Sequence, residues 1–277
     1  MEINYSPRFN VHTAMLMRPF ILLLLLLSCT FVETQAQLQP QSPFRIGIEY
    51  GSHEIRGKID NRWEFRHPDI RYSRQTDLSG SERVSGKGNI HYAGVKSEFS
   101  VWDNRLTFTT GLRYTLINEQ VSPQQGTFIY LFHPSSQGIE LFRIKGMEER
   151  LGFAGIPLEA DILLWGRHSN WQGYLKAGIH GGVKIHGETS LNFLSEEMEQ
   201  HGDAIISTAG AAPSRFFLNS YAGLGLRLIL QNGIRLSAEI TLPPHYLTKG
   251  NLTLLTPEFL GGSRFSVTIP TRLFSLK

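Results

Sequence analysis

Apolar and polar residues alternate with a period of two along most of the chain after residue 43. In residues 105–117, Leu106 and Leu112 fall on one face, whereas Thr107 and Arg113 fall on the other. A strand whose two faces meet different surroundings requires this alternation. The same pattern recurs in residues 91–101, 171–186 and 233–242, and more weakly in 44–51, 151–165, 216–230 and 264–275. It predicts eight strands.

The connections between these strands alternate between short and long. Residues 102–104, 166–170 and 231–232 form short links, and the last runs into Gly233 as an Asn-Gly hairpin turn. The long links are polar and cover residues 52–88, 118–150, 187–215 and 243–263. Short turns at one end and long loops at the other are typical of outer-membrane barrels, whose strands need about 9 to 11 residues to cross a bilayer.

An open sheet in lipid would leave backbone groups without partners, so the sheet must close. The prediction is an all-β fold, an antiparallel transmembrane β-barrel of eight strands with long outer loops. One alternative has ten strands, because residues 127–144 form an extra hairpin that could enter the wall. Another is a soluble secreted lipocalin-like barrel, which has the same strand number with its apolar face inside. Aromatic residues near the strand ends favour the membrane.

The N-terminus has the pattern of a secretory signal peptide. An apolar run at residues 20–32 follows Arg18 and precedes a small-residue site ending at Ala36. The run is shorter than the roughly 20 residues of a spanning helix. We therefore predict a signal peptide at 1–36 and a barrel domain at 37–277, and a lipoprotein signal ending at Cys29 is the alternative. Cleavage after Ala36 leaves no cysteine, since Cys29 is the single one.

Composition and charge narrow the class of protein further. Hydrophobic residues make up 41% of the chain and aromatic residues 11%, which excludes bulk disorder. The formal net charge is only +3, so nucleic acid is not predicted as a partner.

With the apolar face outward, the polar faces line a lumen that eight strands make just wide enough for side chains to fill. Acids and bases on these faces are then expected to pair, with Glu159 and Asp161 facing Arg113 and Lys176. The full predicted network comprises Lys96, Glu98, Arg113, Glu159, Asp161, Lys176, Arg235 and Glu239. A filled lumen conducts little, so a small anion-preferring channel is an alternative function only.

No catalytic, cofactor-binding or metal-binding residue is predicted, and the chain is not expected to be an enzyme. His180 and His186 lie about 20 Å apart along one strand, too far to bind one metal, and are expected to form hydrogen bonds in the lumen. A lipid-acting outer-membrane enzyme is kept as an alternative. It would need a histidine, a serine and an acid at one rim, and the outward faces show no such trio.

The hairpin at residues 127–144 is the candidate surface for a protein partner. Exposed apolar residues in an outer loop form a docking patch. The residues predicted to form it are Phe128, Tyr130, Phe132, Leu141 and Phe142.

Three short motifs lie on the predicted strands: Ile-Pro-Leu from Ile156, Ala-Gly from Ala177 and Gly-Leu-Gly from Gly223. Together they resemble the PorT-like small outer-membrane β-barrel family of the Bacteroidota. The resemblance implies an outer-membrane location in a Gram-negative cell, and some members of that family serve secretion or surface assembly. The expected function is an outer-membrane barrel, surrounded by membrane lipid, that presents its loops to an envelope or secretion partner. Pro157 cannot donate to a strand ladder, so a bulge is expected there.

Overall fold

The fold is described from a computed structural model of the 277-residue chain. The structure describes residues 43–60, 63–66, 84–124, 126–135, 138–208, 213–242, 244–248, 252 and 254–274. The predicted signal peptide at 1–36 lies outside the described residues.

Strands account for most of the described chain. They are β1 (Phe44–Ile59), β2 (Glu64–Arg66), β3 (Val84–Val101), β4 (Leu106–Pro123), β5 (Ile129–Ser135), β6 (Gly138–Trp165), β7 (Trp171–Phe193), β8 (Phe216–Ile229), β9 (Arg235–Thr241), β10 (His245–Tyr246) and β11 (Leu255–Pro270). Two 3₁₀ helices cover Glu196–His201 and Thr271–Phe274, and α1 covers Gly202–Thr208. No helix in the described ranges is long and apolar enough to cross a membrane.

Eight of these strands form a closed antiparallel ring in the order β1, β3, β4, β6, β7, β8, β9, β11. β11 returns to β1, and the pairing runs from Arg45 opposite Pro270 to Ile59 opposite Leu255. The predicted eight-stranded barrel is confirmed. The ten-strand alternative is wrong, because β5 pairs with β6 and β2 outside the ring in the part of the chain that the structure describes.

The three predicted short connections lie at one end of the barrel, where β1 begins and β11 ends. Gly166 and Gly233 adopt φ of 87° and 84° in two of them, conformations that favour glycine. The last strand was predicted at 264–275, but β11 begins earlier, at Leu255, and stops at Pro270, where a 3₁₀ helix follows.

We call the half of the barrel next to these turns the lower barrel, comprising residues 44–50, 93–101, 106–116, 154–165, 171–185, 222–229, 235–241 and 264–270. Apolar side chains point outward here, and Ile48, Leu112 and Ile240 are 62%, 65% and 66% exposed. Charged side chains point inward, with Arg45 and Arg264 at most 1% exposed. An apolar exterior around a polar interior characterises a membrane-spanning barrel and contradicts the lipocalin-like alternative.

The remaining part of the barrel and its loops form the upper barrel, where the faces are reversed. On β1, Ile48 points outward, whereas Ile55 points inward and is fully buried. On β4, Leu112 points outward, whereas Ile117 and Val121 point inward. Their neighbours in this core include Trp63, Met147, Leu151, Phe153, Phe193, Ile205, Phe217, Leu252 and Leu254. The predicted loops at 52–88 and 118–150 are therefore partly barrel wall.

The expected bulge at Pro157 does not form. Pro157 pairs in register with His180 of β7. The β4–β6 ladder is interrupted between Leu158 and Gly155, at Pro157 and Ile156, but it resumes in the same register. The β6–β7 ladder shifts register at three other places, after Ile144, Gly152 and Leu163. The shift at Gly152 turns His186 outward, where its ring stacks on Tyr114 at 6.3 Å, so the lumen position expected for His186 is wrong.

Candidate functional site

Glu159 of β6 is the centre of an ionic cluster inside the lower barrel. Its Oε1 accepts from Arg113 Nη2 at 2.7 Å, and its Oε2 accepts from Lys176 Nζ at 2.8 Å. The Arg264 guanidinium and the Tyr221 hydroxyl also donate to this carboxylate. Strands β4, β7, β8 and β11 thus each bring one donor to a single acid across the lumen.

Three further acids extend the cluster around this centre. Glu239 accepts from the Tyr174 hydroxyl at 2.7 Å and lies 3.1 Å from Lys176 Nζ. Asp161 pairs with Arg227 at 2.8 Å and with Lys176 at 3.2 Å. A third acid, Glu49, which was not in the predicted network, accepts from Arg113 Nε at 2.6 Å.

A second group lies nearer the short turns. Glu98 pairs with Lys96 at 2.9 Å and with Arg235 at 3.4 Å, and it accepts from Thr268 at 3.2 Å. The structure therefore places all eight residues of the predicted network in contact with an opposite charge inside the lumen. The residues that the predicted network lacked are Glu49, Tyr174, Tyr221, Arg227 and Arg264.

Aromatic rings complete the surroundings of the arginines. The Arg113 guanidinium lies 4.6 Å from the centroid of Tyr92, and that of Arg227 lies 4.4 Å from Tyr174. Cation–π contacts of this kind gain strength where water is excluded. All charged members of the cluster are at most 4% exposed, so side chains fill the lower lumen.

A small cavity of about 30 Å³ lies where the ionic interior meets the apolar one. Its lining includes three polar atoms that have no hydrogen-bond partner in the structure: His180 Nε2, Thr115 Oγ1 and Asn219 Oδ1. The ring of Phe217 lies 4.6 Å from that of His180 and also packs against Phe153 of the apolar core. With these three unpartnered polar atoms in its lining, a cavity of this size can hold ordered water.

The predicted partner-contact hairpin is formed by β5 and the first part of β6. Phe128 and Tyr130 pack edge to face at 5.4 Å, and the Arg143 guanidinium lies over both rings. Phe132 pairs with Leu141, which is 54% exposed. These side chains share the outward face of the hairpin.

The fifth predicted member of that surface, Phe142, lies elsewhere. It belongs to the inward face with Ile144 and packs against Phe193 at 6.3 Å. Its placement in the contact patch is therefore wrong, because neighbouring residues of a strand point to opposite faces. We call Phe128, Tyr130, Phe132 and Leu141 the hairpin patch.

Metal binding has no candidate among the residues that the structure describes, which contain no group of three His, Cys, Asp or Glu residues placed to hold an ion.

No family model and no curated protein matches the chain. Among solved structures it is similar to the translocator domain of autotransporter NalP from Neisseria meningitidis, with 9% identity and a TM-score of 0.29. The match covers 95% of this chain and 98% of that one. The closed ring of eight strands and the chemistry of its two faces define the barrel.

Proposed function

We propose that the protein is an integral outer-membrane barrel with a closed lumen that presents its hairpin patch to a protein partner of the envelope or of a secretion system. The apolar exterior of the lower barrel supports the membrane location. The resemblance to PorT-like barrels supports the same location and the same kind of partner. The protein does not act as an enzyme in this proposal.

The filled lower lumen is the observation that favours a structural role over transport. Salt bridges from β4, β7 and β11 converge on Glu159 in the lumen, and their members are almost fully buried. Opening a path would separate charges that have no water to replace their partners, at a cost of several kcal/mol.

The hairpin patch supports a partner on the water side. Three of its four members are aromatic, and Arg143 lies against two of them. Aromatic residues and arginine are enriched at the centres of protein interfaces. The inward face of the same hairpin packs into the upper core, which holds the patch on a rigid support.

The experiment is a comparison of partner capture by two forms of the full chain in its native membrane. A photo-crosslinking residue replaces Arg143, and the variant Tyr130→Ser/Phe132→Ser/Leu141→Ser is compared with the unchanged patch. We expect one defined crosslinked protein that the triple variant loses. Leu194→Ser, which alters an exposed leucine outside the hairpin, should leave the product unchanged.

Loss of the product in Leu194→Ser, or its retention in the triple variant, would contradict the proposed contact. Fractionation of the same cells tests the location, which fails if the protein is recovered outside the outer membrane. Heat-modifiable migration on a gel verifies in every case that the barrel is folded.

A small anion-preferring channel is the second candidate. Among the buried charges of the described lower lumen, bases outnumber acids: Arg45, Lys96, Arg113, Lys176, Arg227, Arg235 and Arg264 against Glu49, Glu98, Glu159, Asp161 and Glu239. An excess of bases favours anions. Steady anion-selective current through the purified protein in a planar bilayer would favour this function over the closed-lumen barrel.

A further inference from the structure

The outer wall of the upper barrel carries two parallel rows of polar side chains across β3, β4, β6 and β7. In the first row, Asn89 lies opposite Asn118, which lies opposite Arg150, which lies opposite Glu188. Arg150 Nε donates to Asn118 Oδ1 at 3.2 Å. The row therefore combines two amides with one base and one acid.

The second row lies two residues further from the membrane. It consists of Lys87, Gln120, Glu148 and Ser190, paired in that order. Gln120 Nε2 donates to Glu148 Oε1 at 3.0 Å. Each row has one positive and one negative side chain, so the outward surface that they form is neutral.

These rows line an open groove of about 260 Å³, and we call it the wall groove. The two acids behind it, Glu119 and Glu149, are buried and already bonded, to the Leu254 N–H at 3.1 Å and to the Thr189 hydroxyl at 3.1 Å. The chemistry that the groove offers is therefore that of its outward amides, hydroxyl and balanced charges.

The position of the wall groove relative to the membrane follows from the rows of residues on its membrane side. His91, Leu116, Gly152 and His186 form the next row toward the membrane. Below that row, Tyr114 stacks on His186, and the exposed apolar residues of the lower barrel begin. Aromatic residues mark the interface of a membrane barrel. The wall groove thus lies at the height of lipid headgroups.

We infer that the wall groove binds the saccharide headgroup of an outer-leaflet glycolipid, an assignment that rests on the proposed outer-membrane location. Amide, carboxylate and guanidinium groups supply both donors and acceptors, as the many hydroxyls of a sugar require. A neutral groove does not select a simple anionic headgroup. Its size and its open side admit a sugar that remains attached to its acyl chains in the adjacent leaflet.

Native mass spectrometry of the purified full-length protein released from nanodiscs measures this binding. The probe is rough lipopolysaccharide, the comparison lipid is phosphatidylglycerol, and the soluble comparison is the core oligosaccharide released by mild acid. We expect the lipopolysaccharide to bind at least tenfold more tightly than either, and Asn118→Leu/Gln120→Leu to remove that preference.

Gln200→Leu is the matched control, because it changes an exposed amide on the loop after β7 outside the groove. If the double variant does not fold, the single outward change Lys87→Met replaces it, with an expected loss of about threefold. Equal binding of phosphatidylglycerol, or a preference that survives both groove variants, would overturn the inference. If the free oligosaccharide binds as tightly as the lipopolysaccharide, the inference that the ligand is a membrane glycolipid is overturned.

Recovery of the protein outside the outer membrane would refute the proposed function. The binding measurement uses purified protein, so its result does not depend on that fractionation.

Discussion

The lower and upper barrels are built from the same strands but have opposite interiors. β4 shows the contrast within one strand: Arg113 points into an ionic lumen, and Ile117, four residues later, points into an apolar core. Inward and outward side chains alternate along the whole strand, and only the chemical character of the two faces changes. The comparison shows that the surroundings of the wall, lipid or water, select which face is apolar.

The two interiors also owe their stability to different interactions. The upper core gains from burial of apolar area, about 25 cal/mol per Å², and tolerates changes that keep its volume. The lower interior depends on complete pairing, because a buried charge without a partner is costly. Removing one partner of a buried ion pair should therefore lower the stability more than a volume-conserving change in the upper core.

The largest effect is expected at the centre of the ionic cluster. Glu159→Gln keeps the shape of the side chain but removes the charge that neutralises Arg113, Lys176 and Arg264. Loss of a buried partner costs about 3–5 kcal/mol. The free energy of unfolding in vesicles, from a urea titration, should fall by that amount. Glu140→Gln, an exposed acid of the outer hairpin, should change it by less than about 0.5 kcal/mol. Equal small effects would show that the cluster does not stabilise the barrel.

The reversal of the faces predicts a depth-dependent penalty along β4. Leu112→Arg places a charge on the lipid face and should cost about 2–4 kcal/mol. Gln120→Arg makes the same kind of change on the same outward face of the upper barrel and should cost at most about 0.5 kcal/mol. Both values come from urea titrations in one lipid. A similar penalty at both positions would contradict the assigned membrane boundary.

The smallest effect concerns the boundary between the two interiors. Thr115 lines the small polar cavity, whereas Thr109, whose hydroxyl also lacks a partner, does not line it. Thr115→Val removes a hydroxyl that a water in the cavity would bond to, and should cost about 1 kcal/mol. Thr109→Val removes a hydroxyl that has nothing to bond and should be neutral or stabilising by about 1 kcal/mol. Stabilisation by Thr115→Val would indicate a dry cavity.

The sequence predicts the lower barrel well because its strands obey one rule. Most outward residues are apolar, with few exceptions such as Ser97 and Thr110, and turns such as the one at Gly233 have a local signature. The strands of the upper barrel were not predicted because their apolar residues point inward rather than outward. Their inward faces also include buried acids such as Glu119 and Glu149. A pattern search for strands with a polar interior therefore assigns these stretches to loops.

The site was predictable only in part. The alternation of side chains along each strand shows which residues point into the lumen. Lys96, Arg235 and the residues around Glu159 were therefore predicted on the correct face. Which acid is central does not follow, because Arg264 reaches Glu159 across the lumen from a strand that is not its neighbour. The orientation of His186 depends on a register shift at Gly152 that has no sequence signature of its own.

The pairing of β1 with β11 has a consequence for biogenesis. The last strand both closes the ring and brings Arg264 to the central acid, so hydrogen bonding and charge neutralisation finish in the same event. A nascent chain that lacks its final strand carries exposed backbone and unbalanced ions at the middle of the bilayer. We therefore expect a chain that ends before β11 to form no closed barrel in lipid.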